Sequence, residues 1–371
     1  KLEMEKKYLI INLGSVSKRY AIYSGKEAQL SKHFEKDEMD PADFDNACNS
    51  FIKESGSEDI SGIGFRVVAS GSFFREDRII DEEYLENLKK AEERAPLHLG
   101  PLIKEIKKVK EILPNIPMVG ISDSAFHANL PKHSGLYNIP QEDAKNLDIY
   151  RFGYHGISMQ SILREIQEDE GSVPAKVIVA HLGGGASITA VKDDESFDTS
   201  MGTTPLEGLP MSTRVGNIGA GALVQLSKEK NMSLDELNEY LNTKCGLLGL
   251  SNKTGNVREL FVLKDKGDEG AKLALEMFAY SVKKYIGAYT VAMGGLDMIV
   301  LSGTISERSP SMREMILGEL GYVGIELDKD KNNKTLDKED YIESTNSKVK
   351  IKVVKVNELE EIALKTINIL E

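Results

Sequence analysis

Tyr8-Leu9-Ile10-Ile11-Asn12-Leu13-Gly14-Ser15 is a short apolar run closed by a polar turn, and Val177-Ile178-Val179-Ala180-His181-Leu182-Gly183-Gly184-Gly185 answers it far downstream. Both read as a buried strand running into a turn. Ala21-Ile22-Tyr23 and Ile188-Thr189-Ala190-Val191 read as the returning strands. Without gaps the copies align 169 residues apart, Leu13-Gly14 on Leu182-Gly183 and Ala21-Ile22 on Ala190-Val191. Two readings stand. Any two hairpins look alike over so short a stretch. Alternatively the chain is a duplicated domain, each half opening with a strand–turn–strand whose backbone N–H groups face a phosphate, small residues allowing close approach.

Working outward, Asp81 to Arg94 and Leu102 to Ile112 carry apolar residues at helical period. Val119-Gly120-Ile121-Ser122-Asp123 reads as a strand ending in a carboxylate. Ser158 to Glu168 predicts a helix capped by Ser158, and Ser233 to Asn242 one with Ser233 as cap and Glu236 completing a capping box. Gly270 to Val291 predicts a long core helix. Met298 to Leu301 is an apolar strand opening onto Ser302-Gly303-Thr304. Lys350 to Val356 predicts a last strand and Glu358 to Leu370 a closing helix. The charged stretch Asp328 to Asp340 reads as a solvated loop. Strands alternating with helices throughout indicate an α/β fold.

The chain has 371 residues, enough for two domains with their own cores. A formal net charge of -12 argues against nucleic acid or an anionic membrane as the main partner, while leaving room for a phosphate in a local cationic pocket. Cys48 and Cys245 form neither a disulfide framework nor a metal pattern, which fits a reducing, cytosolic compartment. No apolar run is long enough to span a membrane. The charged start, Lys1 to Lys7, leads straight into a strand and does not read as a signal peptide.

Three segments carry the chemistry. Asp198 to Arg214, Asp-Thr-Ser-Met-Gly-Thr-Thr-Pro-Leu-Glu-Gly-Leu-Pro-Met-Ser-Thr-Arg, is rich in hydroxyls and glycines and delivers one arginine. Arg151-Phe152-Gly153-Tyr154-His155-Gly156 sets a histidine between glycine and aromatics. Gly64-Phe65-Arg66-Val67-Val68 places an arginine in an apolar run, where it needs an anion or carboxylate to face. Alone, each also reads as a polar loop, a structural histidine or an ion pair.

Together, and in this order along nearly the whole chain, these segments resemble the acetate kinase family. The resemblance implies the duplicated, ribonuclease-H-like two-domain fold of the actin, sugar-kinase and Hsp70-like superfamily, with a cleft between domains. The first domain would span residues 4–150 and be completed by the helix at 357–371. The second, at 151–356, would bind nucleotide and provide a homodimer interface. The implied reaction is reversible phosphoryl transfer between ATP and acetate with Mg2+, or Mn2+.

By the same resemblance, Asn12 in the first phosphate loop and Glu358 would place the metal. Arg19 stands where the family has a lysine near the nucleotide phosphates. Arg66 would bind the carboxylate, Asp123 would be the catalytic aspartate, and His155 and Arg214 would stabilise the transition state. Val68, Leu97, Tyr154 and Pro205 would line the pocket for the substrate methyl. His181, Leu182, Gly183, Gly184 and Gly185 would form the second phosphate loop. Asn256, Val257 and Arg258, with Thr304, Ile305, Ser306, Glu307 and Arg308, would receive adenosine. This suits the chemistry: phosphoryl transfer asks for positioning and charge neutralisation, and a carboxylate acceptor needs no base to deprotonate it.

The sequence also departs from the family. His-Arg-Val-Val-His-Gly-Gly becomes Phe65-Arg66-Val67-Val68-Ala69-Ser70-Gly71. Tyr154 replaces a phenylalanine and so brings a hydroxyl near the methyl pocket, and Met159 replaces a histidine. Gly184 replaces an asparagine, Asn256 an aspartate, and Gly-Ile-Gly-Glu-Asn becomes Thr304-Ile305-Ser306-Glu307-Arg308. Added side chains there crowd the expected adenine slot. The alternatives are another donor, such as pyrophosphate or a different nucleoside triphosphate, propionate as acceptor, or a nucleotide-binding protein without catalysis. Retention of Arg66, Asp123, His155, Arg214 and Glu358 argues against the last.

Overall fold

The computed structural model describes residues 6–14, 17–56, 59–92 and 96–371, the side chains of 96–98 excepted. Its strands are β1 (Lys7–Leu13), β2 (Ser17–Ser24), β3 (Glu27–Glu35), β4 (Ile60–Val67), β5 (Arg78–Ile79), β6 (Met118–Ser122), β7 (Lys176–Leu182), β8 (Ala186–Lys192), β9 (Glu195–Thr199), β10 (Met298–Ser302), β11 (Asp340–Tyr341) and β12 (Lys350–Val354). They form two six-stranded sheets, β3-β2-β1-β4-β6-β5 and β11-β12-β10-β7-β8-β9. Read from its other edge, the second order repeats the first. In each sheet two hairpin-linked antiparallel strands lie beside the opening strand, two parallel strands follow on its other side, and an antiparallel edge strand closes the sheet. The duplication is therefore real, and the fold is α/β with two related halves.

The 169-residue offset holds for the opening strands, because Lys7–Leu13 falls on Lys176–Leu182. It fails for the returning ones. Leu13 pairs with Lys18, whereas Leu182 pairs with Ala186, so the second turn is one residue shorter and Ala21 corresponds to Thr189 rather than Ala190. A one-residue slip exchanges the faces of a strand, which the gapless alignment could not reveal.

Each half has its own core. Helix Glu269–Met293 presents Ala271, Leu275, Phe278, Val282, Ile286 and Met293 at helical period and buries them against the second sheet. Asp268 caps its first turn and left-handed Gly294 ends it. The closing helix Glu358–Leu370 crosses back to the first sheet, where Ile362 and Ala363 pack with Tyr8, Ile10, Val119 and Ile121.

Two local expectations are corrected. Helix Gly156–Glu170 begins before Ser158, with His155 at its N-cap position, so Ser158 is an interior residue whose hydroxyl is used elsewhere. The segment 328–340 is no mere solvated loop. It contains helix Lys329–Lys334, whose Asn332 is buried and holds the fully buried Arg313. The capping box of Ser233 and Glu236 forms as expected.

Candidate active site

The ends of β1, β4 and β6 in the first sheet and of β7 and β10 in the second converge on one region. Parallel strands direct the loops after their carboxyl ends to the same side, where open α/β sheets bind ligands. Arg66 stands on β4 and Asp123 directly follows the adjacent β6: Arg66 Nη2 donates to Asp123 Oδ2 at 2.8 Å, and Nη1 lies 3.4 Å from Glu358 Oε2. Burial alone would lower the Arg66 pKa, but Asp123 and Glu358 outweigh it and hold it raised. Burial would raise that of Glu358, yet Arg66, Ser158, His181 and Asn12 together depress it. Asn12 Nδ2 donates to Glu358 Oε2 at 2.8 Å and Ser158 Oγ to Oε1 at 2.5 Å.

His155 is held from two sides. Its backbone N–H donates to Asp123 Oδ2 at 3.0 Å and its Nδ1 lies 2.9 Å from Ser187 Oγ. Its φ of 61° is left-handed, a conformation that costs a non-glycine residue about 1–3 kcal/mol and gathers at functional sites. Burial, then His181 and Arg66, push its pKa well below the ordinary value, so the imidazole is neutral at pH 7 without an anion. The His155 and His181 rings lie 4.7 Å apart. Arg214 has Met211 Sδ at 3.6 Å, and among the described residues no carboxylate pairs with it. Its burial lowers its pKa. A partly buried guanidinium without a counter-ion is costly unless an anion arrives.

Arg66, Asp123, His155 and Arg214 face one cavity of about 210 Å³. Its apolar wall is Val68, Pro101, Leu102, Tyr154 and Pro205, and the first turn enters through Leu13 and Gly14. A Cβ added to Gly185 would stand 3.4 Å from His155 Nε2 and 3.8 Å from Arg214 Nη1, in ordinary contact with both, so the second turn closes on these two groups. Arg66 Nε, Asp123 Oδ1 and His181 Nδ1 are buried without hydrogen-bond partners. These orphaned groups around a small cavity are what a bound anion and cation would satisfy.

The sequence matches the family model of the Acetokinase family over residues 34–364. The chain belongs to the acetokinase family. The acetate kinase of Thermoanaerobacter pseudethanolicus is 41% identical over 304 residues, covering 81% of this chain and 76% of that one. The solved acetate kinase of Porphyromonas gingivalis superposes with a TM-score of 0.87 at 30% identity, covering 99% of this chain and 100% of that one. A propionate kinase from Francisella tularensis gives a TM-score of 0.88 at 33% identity, covering 98% and 99%. The family match begins after the first hairpin, whose place rests on the fold and on its pairing with the site.

The structure gathers the sequence-predicted residues unequally. Arg66, Val68, Asp123, Tyr154, His155, Pro205 and Arg214 share the cavity. Asn12 and Glu358 stand behind it, bonded to each other. Arg19 lies across the ladder from Asn12 and is exposed. The Leu97 side chain falls outside the described residues. Leu182 and Val257 are core side chains, so only their backbone is available to a ligand. Asn256 caps helix Val257–Asp265, its Oδ1 accepting from Arg258 and Glu259 N–H. Helix Gly303–Arg308 brings exposed Thr304 over the second turn: its Oγ1 would lie 3.6 Å from a Cβ on Gly183. Ile305 packs against the core, and Ser306 is buried, its carbonyl accepting from Arg313. Glu307 accepts from Gly303 N–H at 3.1 Å, and Arg308 pairs with Asp337.

Sequence reasoning missed Pro101 and Leu102 as cavity residues, reading Leu102 only as the start of a helix, and misplaced Ser158 as a cap. Ser187, the partner of His155, sits directly opposite His181 in the second hairpin, a signal the duplicated pattern carried. His127 was passed over as part of a motif. It is buried, with Nε2 3.0 Å from the Tyr154 carbonyl and Nδ1 2.7 Å from Ser196 Oγ, an arrangement that places the proton on Nε2.

The family takes a nucleotide and a divalent metal ion. Glu358 has both oxygens engaged, whereas Asp123, which lines the cavity, keeps its buried Oδ1 without a hydrogen-bond partner. No cluster of three or more candidate metal ligands occurs among the described residues. One carboxylate oxygen beside a phosphate site fits a magnesium-type ion, which keeps several waters and takes its other ligands from phosphate.

Proposed function

We propose that the protein is an acetate kinase, moving the γ-phosphoryl group of ATP to a carboxylate oxygen of acetate to give acetyl phosphate and ADP, reversibly. What carries this reading is the convergence of Arg66, His155 and Arg214, the last without a carboxylate partner among the described residues, on one small cavity with an apolar wall. The carboxylate would face Arg66, its methyl would rest on Val68, Leu102, Tyr154 and Pro205, and the group in flight would lie between His155 and Arg214. Charge on its equatorial oxygens is then met by donors already in place. His155, neutral in the free protein, gains a reason to hold a proton only when that charge arrives. Asp123, with Asn12 and Glu358 behind it, would hold Mg2+, which when bound neutralises phosphate charge.

The acceptor is already an anion, so no residue acts as a base on it. The cavity admits a two- or three-carbon acid. ATP, acetate and two free thiols fit a cytoplasmic enzyme, and no described helix is long and apolar enough to cross a membrane. Association as a homodimer through the second half, and a division of the chain at residue 150 with 357–371 returned to the first half, complete the reading. Packing of the closing helix on β1 supports that division.

The test is turnover with acetate and ATP, GTP or pyrophosphate, each with magnesium, following acetyl phosphate as its hydroxamate. Turnover with ATP is expected. No acyl phosphate from any donor would refute the kinase reading.

A further inference from the structure

Two departures from the family pattern meet in space. Ser70 stands where the family run has glycine, and Tyr154 where phenylalanine is usual. Ser70 Oγ and Tyr154 Oη lie 2.8 Å apart, and each also lies 2.8 Å from the carbonyl oxygen of Thr203. Ser70 is 5% and Tyr154 1% exposed, so water competes with neither. The carbonyl has two lone pairs and can accept from both hydroxyls, or one hydroxyl donates to the carbonyl and the other to its neighbour. In either case the triangle is internally satisfied. The Tyr154 hydroxyl is therefore not a group offered to substrate: the ring forms the cavity wall and the hydroxyl is anchored to Ser70 and Thr203.

The triangle ties three separate segments. Val68 lies two residues before Ser70, Tyr154 is itself a member, and Pro205 lies two residues after Thr203. Each supplies one side chain of the apolar wall. Thr203 is fixed independently, through its N–H to Tyr137 Oη at 2.8 Å, with Tyr137 in turn bonded to Glu207 and Glu207 paired to Arg151. Ser70 follows β4 of the first sheet, whereas Thr203 follows β9 of the second, so the fastening joins the two halves at the acyl pocket.

We infer that Ser70 is a specificity-determining positioning residue: through Tyr154 and the Thr203 carbonyl it fixes the width of the acyl pocket and so disfavours acids longer than acetate. The inference rests on the carboxylate kinase reading. A wall pinned by buried hydrogen bonds resists retreating before another methylene, whereas one held by packing alone repacks more readily.

The test is kcat/KM for acetate, propionate and butyrate in the unsubstituted enzyme, Ser70→Ala, Tyr154→Phe and the double variant, with KM for ATP as an internal control. The propionate-to-acetate ratio is expected to rise about fivefold in Ser70→Ala, within what one methylene is worth in an apolar pocket. Tyr154→Phe should shift it in the same direction. The double variant should add little, because both hydroxyls act through one triangle. ATP affinity should stay put, which a merely structural loosening would not ensure. If Ser70→Ala fails to fold, Tyr154→Phe carries the test alone. Ratios within twofold of the unsubstituted enzyme, in variants that still phosphorylate acetate, overturn the inference. Absence of carboxylate phosphorylation in the unsubstituted enzyme overturns instead the reading beneath it.

Discussion

Replacing Arg66 by alanine removes the cation from between two carboxylates. Its side chain is 15% exposed, that of Asp123 1% and that of Glu358 14%, so the charges left behind are poorly solvated. Removing one partner of a buried pair costs about 3–5 kcal/mol. Two anions remain here, and partial exposure of the guanidinium offsets some of that, so about 4 kcal/mol is expected, a large share of the stability of a typical domain. The pH dependence follows. Above about 4.5 the depressed Glu358 carboxylate stabilises the native protein, and that contribution is lost as pH falls toward its folded value. Without Arg66 the largest influence holding the Glu358 carboxylate down is gone while its burial remains, so the variant has less of that contribution to lose as pH falls. The gap between the two proteins should therefore hold steady above about pH 4.5 and narrow as pH falls from there toward about 2.

The assay is urea unfolding across that range, paired with acetate turnover. Loss of two charge-assisted contacts to the acid should raise its KM roughly 10- to 100-fold. Adding Glu358→Gln should restore part of the stability and none of the activity. Arg66→Lys should fail as well, because a point charge cannot bridge Asp123, Glu358 and Asn12 as the planar fork does. A stable Arg66→Ala protein with ordinary turnover, or a stability gap independent of pH, would refute the reasoning.

Arg214→Ala should behave oppositely: kcat falls by about 10²-fold or more, yet urea stability holds or improves, because an unpaired guanidinium is removed; a loss of stability as large as that of Arg66→Ala would show a partner in the free protein. Val68→Ala should widen the cavity and shift preference toward propionate by at most about tenfold, and an unchanged ratio in competition assays would place Val68 away from substrate. Burial lowers the His127 pKa from 6.5 to about 4. Its neutral form thus stabilises the fold above pH 6.5, and about 3 kcal/mol is lost as pH falls through that window, checked by an NMR titration that should show no midpoint near 6.5. Thr304→Gly should lower KM for ATP more than for pyrophosphate, because Thr304 is exposed over the second turn, while Ser306→Gly should act mainly on stability because Ser306 is buried; equal donor affinities before and after Thr304→Gly would show that the side chain points away from the nucleotide.

How much of this was legible in the sequence depended on the range of the interaction. Strand runs, the capping box at Ser233 and the closing helix are set by neighbours a few residues away, and they stand as read. Arg66, Asp123, His155 and Arg214 were visible because each sits in a motif of unusual composition. Partners drawn from far along the chain were not. Ser158 has the pattern of a cap, yet its hydroxyl serves Glu358, 200 residues away. Asn332 looked solvated because its partner Arg313 lies on another helix. Lys18 was not singled out, yet it is buried against Glu105 of helix Pro96–Ile112, beside the Tyr20 hydroxyl bonded to the same carboxylate. Ser70 and Tyr154 sharpen the point. Each departure was visible singly, and Tyr154 by itself suggested a hydroxyl near the methyl pocket. Only their 2.8 Å separation shows that one hydroxyl satisfies the other, turning two irregularities into one fastening of the acyl wall.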